Sequence, residues 1–299
     1  MKKQYLITAL TLVLVCGCGS KDKSKVATGV FEATETTVSA EQSGKLVRFD
    51  VTEGQLLSQG QEVGLVDTVP YQLKLAQLRA TRAVYGAQRP DINTQVAATQ
   101  QQLAKAQLEL RRYTELVNDG AAPRKTLDDA RSQVLVLQRQ LAAQRSALGV
   151  QTSTIDSQQS ATDTERLQLL DLISKCHIKA PARGTVLEKY AEQGEVTAAG
   201  KPLFKLADTE HMYLRAYVTS AQLADVRLGQ RVKVSTDFGD GIGKTYDGTV
   251  TWIASKSEFT PKSIPTDDER ADLVYAVKVG VKNDGYIKIG MYGKVVIKP

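Results

Sequence analysis

Residues 178–204 read IKAPARGTVLEKYAEQGEVTAAGKPLF, and residues 38–64 read VSAEQSGKLVRFDVTEGQLLSQGQEVG. A shift of 140 positions (180 − 40) brings the two stretches into register without a gap. Ala40 falls on Ala180, Gly44 on Gly184, Gly54 on Gly194, Gly60 on Gly200, Leu46 on Val186 and Val63 on Leu203. Each copy is a few short runs of strand-forming residues with glycines at turn spacing. A unit that small cannot bury an apolar face alone, but two copies can do so together. They predict one β-sandwich with a pseudo-twofold, and whatever lies between them is an insertion into that single domain. Gly44, Gly54, Gly60, Gly184, Gly194 and Gly200 are then structural, placed where strands turn or approach closely.

The character of the intervening chain changes completely. Between Tyr71 and Ser174 glycine becomes scarce, and Gln, Ala, Leu and Arg dominate. Ile92, Thr99, Ala106 and Tyr113 recur every seven residues, as do Val96, Leu103, Leu110 and Val117. Past a break, Leu127, Val134, Leu141, Leu148 and Ile155 do the same. This is a coiled-coil seam on two successive helices. The break is NDGAAPRKTLDDA: Asn118, Asp119 and Gly120 stop the first helix, and Pro123 suits the first turn of the second. A short loop between long helices makes them antiparallel neighbours, with the tip near 119–124. Each arm spans ~70 Å at 1.5 Å per residue. Arg89-Pro90 predicts a kink or brief interruption in the first arm. The polar stretch QTSTIDSQQSATD (151–163) predicts fraying of the second arm opposite that kink.

After the second glycine motif come MYLRAYV, RVKVST, GTVTWIAS, LVYAVKVGV and YGKVVIKP. These alternating or β-branched runs predict a small β-barrel of four to six strands, with a short helix in SAQLADVRLG. The stretch FGDGIGKT ends like a phosphate-binding loop. It lacks the required first glycine (Phe238 stands there), and a strand rather than a helix follows Thr245. It reads as a hairpin turn, since no helix N-terminus would face a phosphate.

The 299-residue chain carries a formal charge of +6 without a dense basic block, and it has one Trp and five Phe. Nucleic-acid binding is disfavoured, because it wants clustered Lys/Arg interleaved with stacking aromatics. At the N-terminus Lys2 and Lys3 precede the apolar run Tyr5 to Val15, too short to span a bilayer and shaped like a signal-peptide core. Val15-Cys16-Gly17-Cys18 follows. It resembles a bacterial lipobox with a small residue before Cys18, and Cys16 is the second choice. Lipidation at Cys18 would leave Cys176 as the lone thiol, which excludes an internal disulfide framework. Cys176 and His177 suggest a metal pair, but neighbours in a strand point to opposite faces. His177, His211 and scattered carboxylates offer no convergent catalytic set, so no enzyme activity, metal or cofactor is expected.

The two half-motifs, with HMYLRAYVTSAQLADVRLGQRVKV, EFTP, DLVYAVKV and IGMYGKVVI in that order, resemble the periplasmic adaptor or membrane fusion proteins of HlyD type. The likeness runs from about residue 28 to the end, and its C-terminal pieces look most like adaptors of ABC-type exporters. It implies an α+β chain: a biotinyl-lipoyl-like β-sandwich split by a long antiparallel coiled-coil α-hairpin, followed by a β-barrel. The expected divisions are a lipoprotein signal peptide (1–17), a lipidated tether (18–27) and the first half-sandwich (28–69). The hairpin (70–175), the second half-sandwich (176–208) and the barrel with a short membrane-proximal end (209–299) follow. The resemblance further implies an inner-membrane ABC permease/ATPase and a TolC-like outer-membrane channel as partners, and a ring of copies, six in number. It implies a lipid anchor in the cell membrane facing the periplasm, and export of drugs or other small molecules. Relatives that dock a channel carry Arg, then Leu four residues on, then Ser seven further, at the hairpin tip. The matching positions here are Arg112, Leu116 and Pro123, so the capping hydroxyl is replaced. An envelope lipoprotein using the coiled coil as a spacer, and a degenerate carrier subunit, are the alternatives.

Overall fold

The computed structural model describes residues 25–237, 243–258 and 273–297. The signal peptide, Cys18 and the tether as far as residue 24 lie outside the described residues. The chain opens with β1 (Lys25–Ser39), β2 (Gly44–Phe49), β3 (Leu56–Leu57) and β4 (Glu62–Val66). Three helices follow: α1 (Val69–Ala87), α2 (Ile92–Asn118) and α3 (Arg124–Cys176). Then come β5 (His177–Lys179), β6 (Gly184–Lys189), β7 (Val196–Thr197) and β8 (Pro202–Thr219). A four-residue helix α4 (Ser220–Leu223) leads to β9 (Arg231–Thr236), β10 (Thr245–Ile253), β11 (Val274–Lys282) and β12 (Tyr292–Ile297).

The repeat is a true twofold in hydrogen bonds. The Gly60 N–H donates to Ala180 O and the Gly200 N–H to Ala40 O, both at 2.8 Å. The Gly54 N–H donates to Val186 O at 2.9 Å, and the Gly194 N–H to Leu46 O at 2.8 Å. Strand pairs obey the same shift: β2 meets β4 at Leu46 and Val66, and β6 meets β8 at Val186 and Leu206. Gly44 pairs with Thr197, and Gly184 with Leu57. Because each half supplies bonds to the other, neither half is complete alone. Gly54, Gly60, Gly194 and Gly200 have φ between +76° and +96°, a region that L side chains rarely adopt. Gly44 and Gly184 serve closeness: a Cβ there would lie 2.8 Å from Val66 Cγ1 or 2.6 Å from Ala207 O. Leu46, Leu57, Val66, Val186, Leu203 and Phe204 fill the core between the halves.

The insertion is a helical hairpin. Its roots are held together because β4 and β5 pair, Leu65 with His177 and Gly64 with Ile178. The first arm is interrupted at Arg89-Pro90, as the proline requires. Asp91 then caps α2, accepting from Thr94 Oγ1 at 2.6 Å and Thr94 N–H at 3.2 Å. These bonds hold its carboxyl below the usual carboxylate range. Leu75, Leu78, Val96, Thr99, Val134, Leu137, Leu141 and Ile155 are buried along the seam.

The second arm differs from expectation: α3 runs unbroken for 53 residues, straight through 151–163. Three causes override the weak propensity. Ile155 and Thr162 are buried against the first arm. Arg82 reaches Asp163 at 3.1 Å and Arg89 reaches Asp156 at 2.9 Å. The hydroxyls of Thr152, Thr154, Ser157, Thr162 and Thr164 bond back to carbonyls four residues earlier, so they stay satisfied within the helix.

The barrel has six strands in the closed order β1-β12-β9-β10-β11-β8, with β8 returning to β1. It does not start at residue 209. Its first strand is β1, whose residues 25–30 pair with β12 and 28–32 with the barrel part of β8. Residues 25–27 are therefore strand rather than tether. Past an irregularity between Glu32 and Thr34, the same strand continues into the sandwich and pairs with 202–208. β8 spans both units in the same way. Phe31, Leu214, Ala216, Val218 and Val234 are fully buried inside. Residues 238–242 of the FGDGIGKT stretch lie outside the described residues; Thr245 opens β10, a strand.

Candidate functional site

The hairpin tip is shaped by Gly120. With φ at +71°, it reverses the chain after α2 at a position that suits glycine. The Gly120 N–H donates to Val117 O at 3.1 Å, and the Ala121 N–H donates to Leu116 O at 2.7 Å. That pair of bonds is the Schellman arrangement, so the last turn of α2 is fixed. Leu116 sits in this turn and is half-buried, whereas Arg112, one turn earlier, is exposed. At a spacing of four they share one helix face. Pro123 is the N-cap of α3 itself, one place before the first turn, and offers no side-chain cap. Thr126 compensates: its Oγ1 and N–H donate to Pro123 O at 2.6 and 3.1 Å.

Around the turn stand Arg111, Arg112, Arg124 and Lys125, with Glu115, Asp119, Asp128 and Asp129 among them. Asp128 and Arg131 approach to 3.9 Å. The surface is thus a half-buried leucine set in dense, balanced, exposed charge. Just below the tip a groove of about 800 Å³ opens between α2 and α3, lined by Ala106, Tyr113, Ala130 and Leu137 with Lys105 and Glu109 at its edge. Sequence reasoning missed this groove. Its signal was present: Ala106 holds a seam position that Ile92 and Tyr113 hold elsewhere, and a small residue there leaves space.

Cys176 and His177 do not face one another. Cys176 ends α3, is fully buried, and donates to Leu172 O at 3.3 Å; burial pushes its thiol pKa up. His177 Nδ1 lies 3.0 Å from Glu62 Oε2 on the surface, and Glu62 also pairs with Arg48. His211 Nδ1 lies 3.0 Å from Asp208 Oδ2 at the junction of sandwich and barrel. The two histidines therefore serve separate surface pairs. Among the described residues no helix is long and apolar enough to cross a membrane.

Residues 34–209 match the family described as RND MFP, barrel-sandwich hybrid domain. The chain is 26% identical over 291 residues to a protein of Acidithiobacillus ferridurans described as the UPF0194 membrane protein in the asrC 5′ region, covering 90% of this chain and 86% of that one. It is 29% identical over 322 residues to a UPF0194 membrane protein of Citrobacter koseri, covering 97% and 96%. Among solved structures, MacA from Actinobacillus actinomycetemcomitans superposes with a TM-score of 0.58 at 20% identity, over 92% of this chain and 79% of that one.

Proposed function

Because the chain belongs to the membrane fusion proteins, through the barrel-sandwich hybrid domain matched over residues 34–209, we propose that it is a lipid-anchored periplasmic adaptor. It links an inner-membrane ABC-type transporter to a TolC-like outer-membrane channel for export of drugs or other small molecules. It does no chemistry of its own and needs no cofactor. Transport energy comes from the transporter, and the adaptor joins a ring of copies, six by family likeness, that seals the path.

The observation that carries this reading is the pair of exits from one sandwich. The barrel takes β1 and β8, and the hairpin takes β4 and β5, at positions related by the same 140-residue shift. One platform thus presents a compact wall and an arm ~80 Å long at 1.5 Å per residue over the 53 residues of α3. Lipidation at Cys18 leaves seven Cα-to-Cα steps (25 − 18) to the start of β1, a reach of at most about 25 Å. The start of β1 lies at the barrel end away from the sandwich, so the barrel would stand close to the membrane.

Arg112, Leu116 and Pro123 are then the docking surface for the channel. Leu116→Ser keeps the seam residues and should leave helicity unchanged while abolishing export and crosslinking to the channel. Unfolding of the hairpin would make Leu116 a packing residue. Normal export from a folded variant would move the docking site elsewhere. The transporter class is decided by co-purification: an ATPase with a permease supports the ABC partner, and a resistance-nodulation-division (RND) pump overturns it. Acyl labelling of Cys18→Ser should vanish; labelling that persists there and vanishes in Cys16→Ser would move the anchor.

A further inference from the structure

A cleft of about 620 Å³ lies where the barrel meets the sandwich. Leu56 of β3 and Leu187 of β6 form one wall; Met212 of β8 with Ile287, Lys288 and Ile289 of the β11–β12 loop form the other. The floor is core, since Met212 and Ile287 are each 2% exposed. The rim is apolar and open: Leu56 is 59% exposed and Ile289 37%. A concave, largely apolar site of this size between two structural units, with a few polar groups, is the usual form of a small-molecule pocket.

The barrel wall is rigid before any ligand arrives. Asn283 Nδ2 donates to Thr209 O at 2.9 Å and Ile287 O at 3.0 Å. Its Oδ1 accepts from the Gly285 and Ile287 N–H groups, both at 3.0 Å, and its own N–H donates to Glu210 O at 2.8 Å. The Gly290 N–H then ties the loop to Phe31 O at 2.8 Å. Ordering cost on binding is correspondingly small.

The mouth of the cleft is positive. Arg183 and Lys282 share one carboxylate, Glu210, at 3.3 and 3.9 Å. Lys288 Nζ donates to Gly285 O at 2.8 Å and meets no carboxylate within ion-pair distance among the described residues. The nearby carboxylates are engaged elsewhere: Asp208 with the N–H groups of Glu210 and His211 and with His211 Nδ1, Asp284 with Lys244 and Tyr246, Glu53 with the Lys189 N–H. Of the charged groups that line the cleft, Arg183 and Lys288 are cationic and Glu210 is the one carboxylate, so the lining is net positive above an apolar floor and selects by sign as well as by shape.

We infer that this cleft binds a small amphipathic anion: an apolar body about the size of naphthalene lies on Leu56, Leu187 and Ile289, and one acidic group meets Lys288 and Arg183. The twofold supplies an internal control. Leu56 and Leu187 have twins at Val196 and Val47, exposed at 73% and 48% on the other half-sandwich. The same sheet surface becomes a cleft only where the barrel stands. None of these residues belongs to the hairpin, so loss of channel docking leaves the site intact.

The test is calorimetric titration of the full chain in nonionic detergent, blanked against the detergent alone. The probes are naphthalene-1-sulfonate and its neutral analogue naphthalene-1-methanol. The sulfonate should saturate one site per chain. Lys288→Glu should weaken the sulfonate about tenfold or more and leave the neutral analogue within about twofold, because only the charge contact is inverted. Leu56→Asp should weaken both probes about tenfold, because the apolar wall is lost. Val196→Asp should change neither. Absence of saturable binding, indifference to Lys288→Glu, or an equal loss in Val196→Asp and Leu56→Asp would each overturn the site.

Discussion

The barrel and the hairpin leave the sandwich from equivalent positions and are built on opposite terms. Strand β1 enters the sandwich against β8 with Thr37 opposite Lys205; β5 enters against β4 with His177 opposite Leu65. The backbone frame is the same, yet what hangs from it differs. In the barrel each strand is paired on both sides, which removes its edges, and the interior is sealed. In the hairpin, two layers of helix share one seam, and Leu73, Leu108, Leu135, Val136 and Val150 remain exposed. The sandwich and barrel each close around a fully buried core, whereas the hairpin buries only one seam.

That contrast is measurable as a difference in tolerance. Phe204 is fully buried and meets Phe49 at 6.2 Å between ring centroids. Its twin in the first half is Gly64, where a Cβ would lie 2.8 Å from the Phe49 ring. One phenyl thus fills the space that its partner position must leave empty. Phe204→Ala should cost about 3–5 kcal/mol in urea unfolding, followed by fluorescence of the sole tryptophan, Trp252. Leu141→Ala, on a seam that can close up, should cost about 2 kcal/mol, read by far-ultraviolet circular dichroism. Equal costs would mean that the seam is as unforgiving as the core, and the contrast would fail.

A smaller effect is expected from removing the hairpin altogether. The β4–β5 pairing brings Leu65 opposite His177, so a short Gly/Ser turn can replace residues 68–175. The bonds between the halves do not involve the helices. The shortened protein should lose its helical signal and still unfold cooperatively with a tryptophan transition close to that of the full chain. Aggregation or a non-cooperative transition would show that the hairpin is needed to bring the half-motifs together.

How much of this was legible in the sequence follows the range of the interactions. The sandwich twofold could be read because glycine marks local backbone needs, and the same needs recur 140 residues later. The break at Pro90 and the turn at Gly120 were local too. The double membership of β1 was not legible. Its 15 residues alternate as one strand, and nothing local tells that 25–30 belong with 292–297 at the far end of the chain. Continuity of α3 through 151–163 was hidden for a similar reason, since propensity speaks against it and tertiary burial of Ile155 and Thr162 decides it. At the tip, Arg112, Leu116 and Pro123 came from family likeness rather than from chemistry, because nothing in their local packing sets them apart. The barrel–sandwich cleft left no local signature either, for Leu56, Leu187 and Ile287 come from three well-separated stretches of the chain.

The smallest effect sharpens the comparison at the barrel. Asp284 accepts from Tyr246 Oη at 2.9 Å and pairs with Lys244, and mainly through Lys244 its carboxyl is pulled down to about 2. Burial, with Asp284 beside it, pushes Tyr246 up to about 12. The signs are opposite. Asp284 binds protons less readily folded than unfolded, so its stabilisation is present above about pH 4, near the ordinary value of 3.8, and is lost as pH falls towards 2. Tyr246 holds its proton more tightly when folded, so its share is complete below pH 10 and is lost as pH rises through about 12. Asp284→Asn should lower the melting temperature at neutral pH, with the gap to wild type closing between pH 4 and pH 2. The same variant should lower the Tyr246 ionisation seen by ultraviolet absorbance only in part, because burial is the larger cause and remains. Tyr246→Phe should remove the alkaline loss attributable to this residue while keeping most of the acid one, since Lys244 still holds Asp284. A gap between wild type and Asp284→Asn that stays constant from pH 7 to pH 2 would mean that the cluster is ornamental, and that the barrel, like the hairpin, draws little from its surface charges.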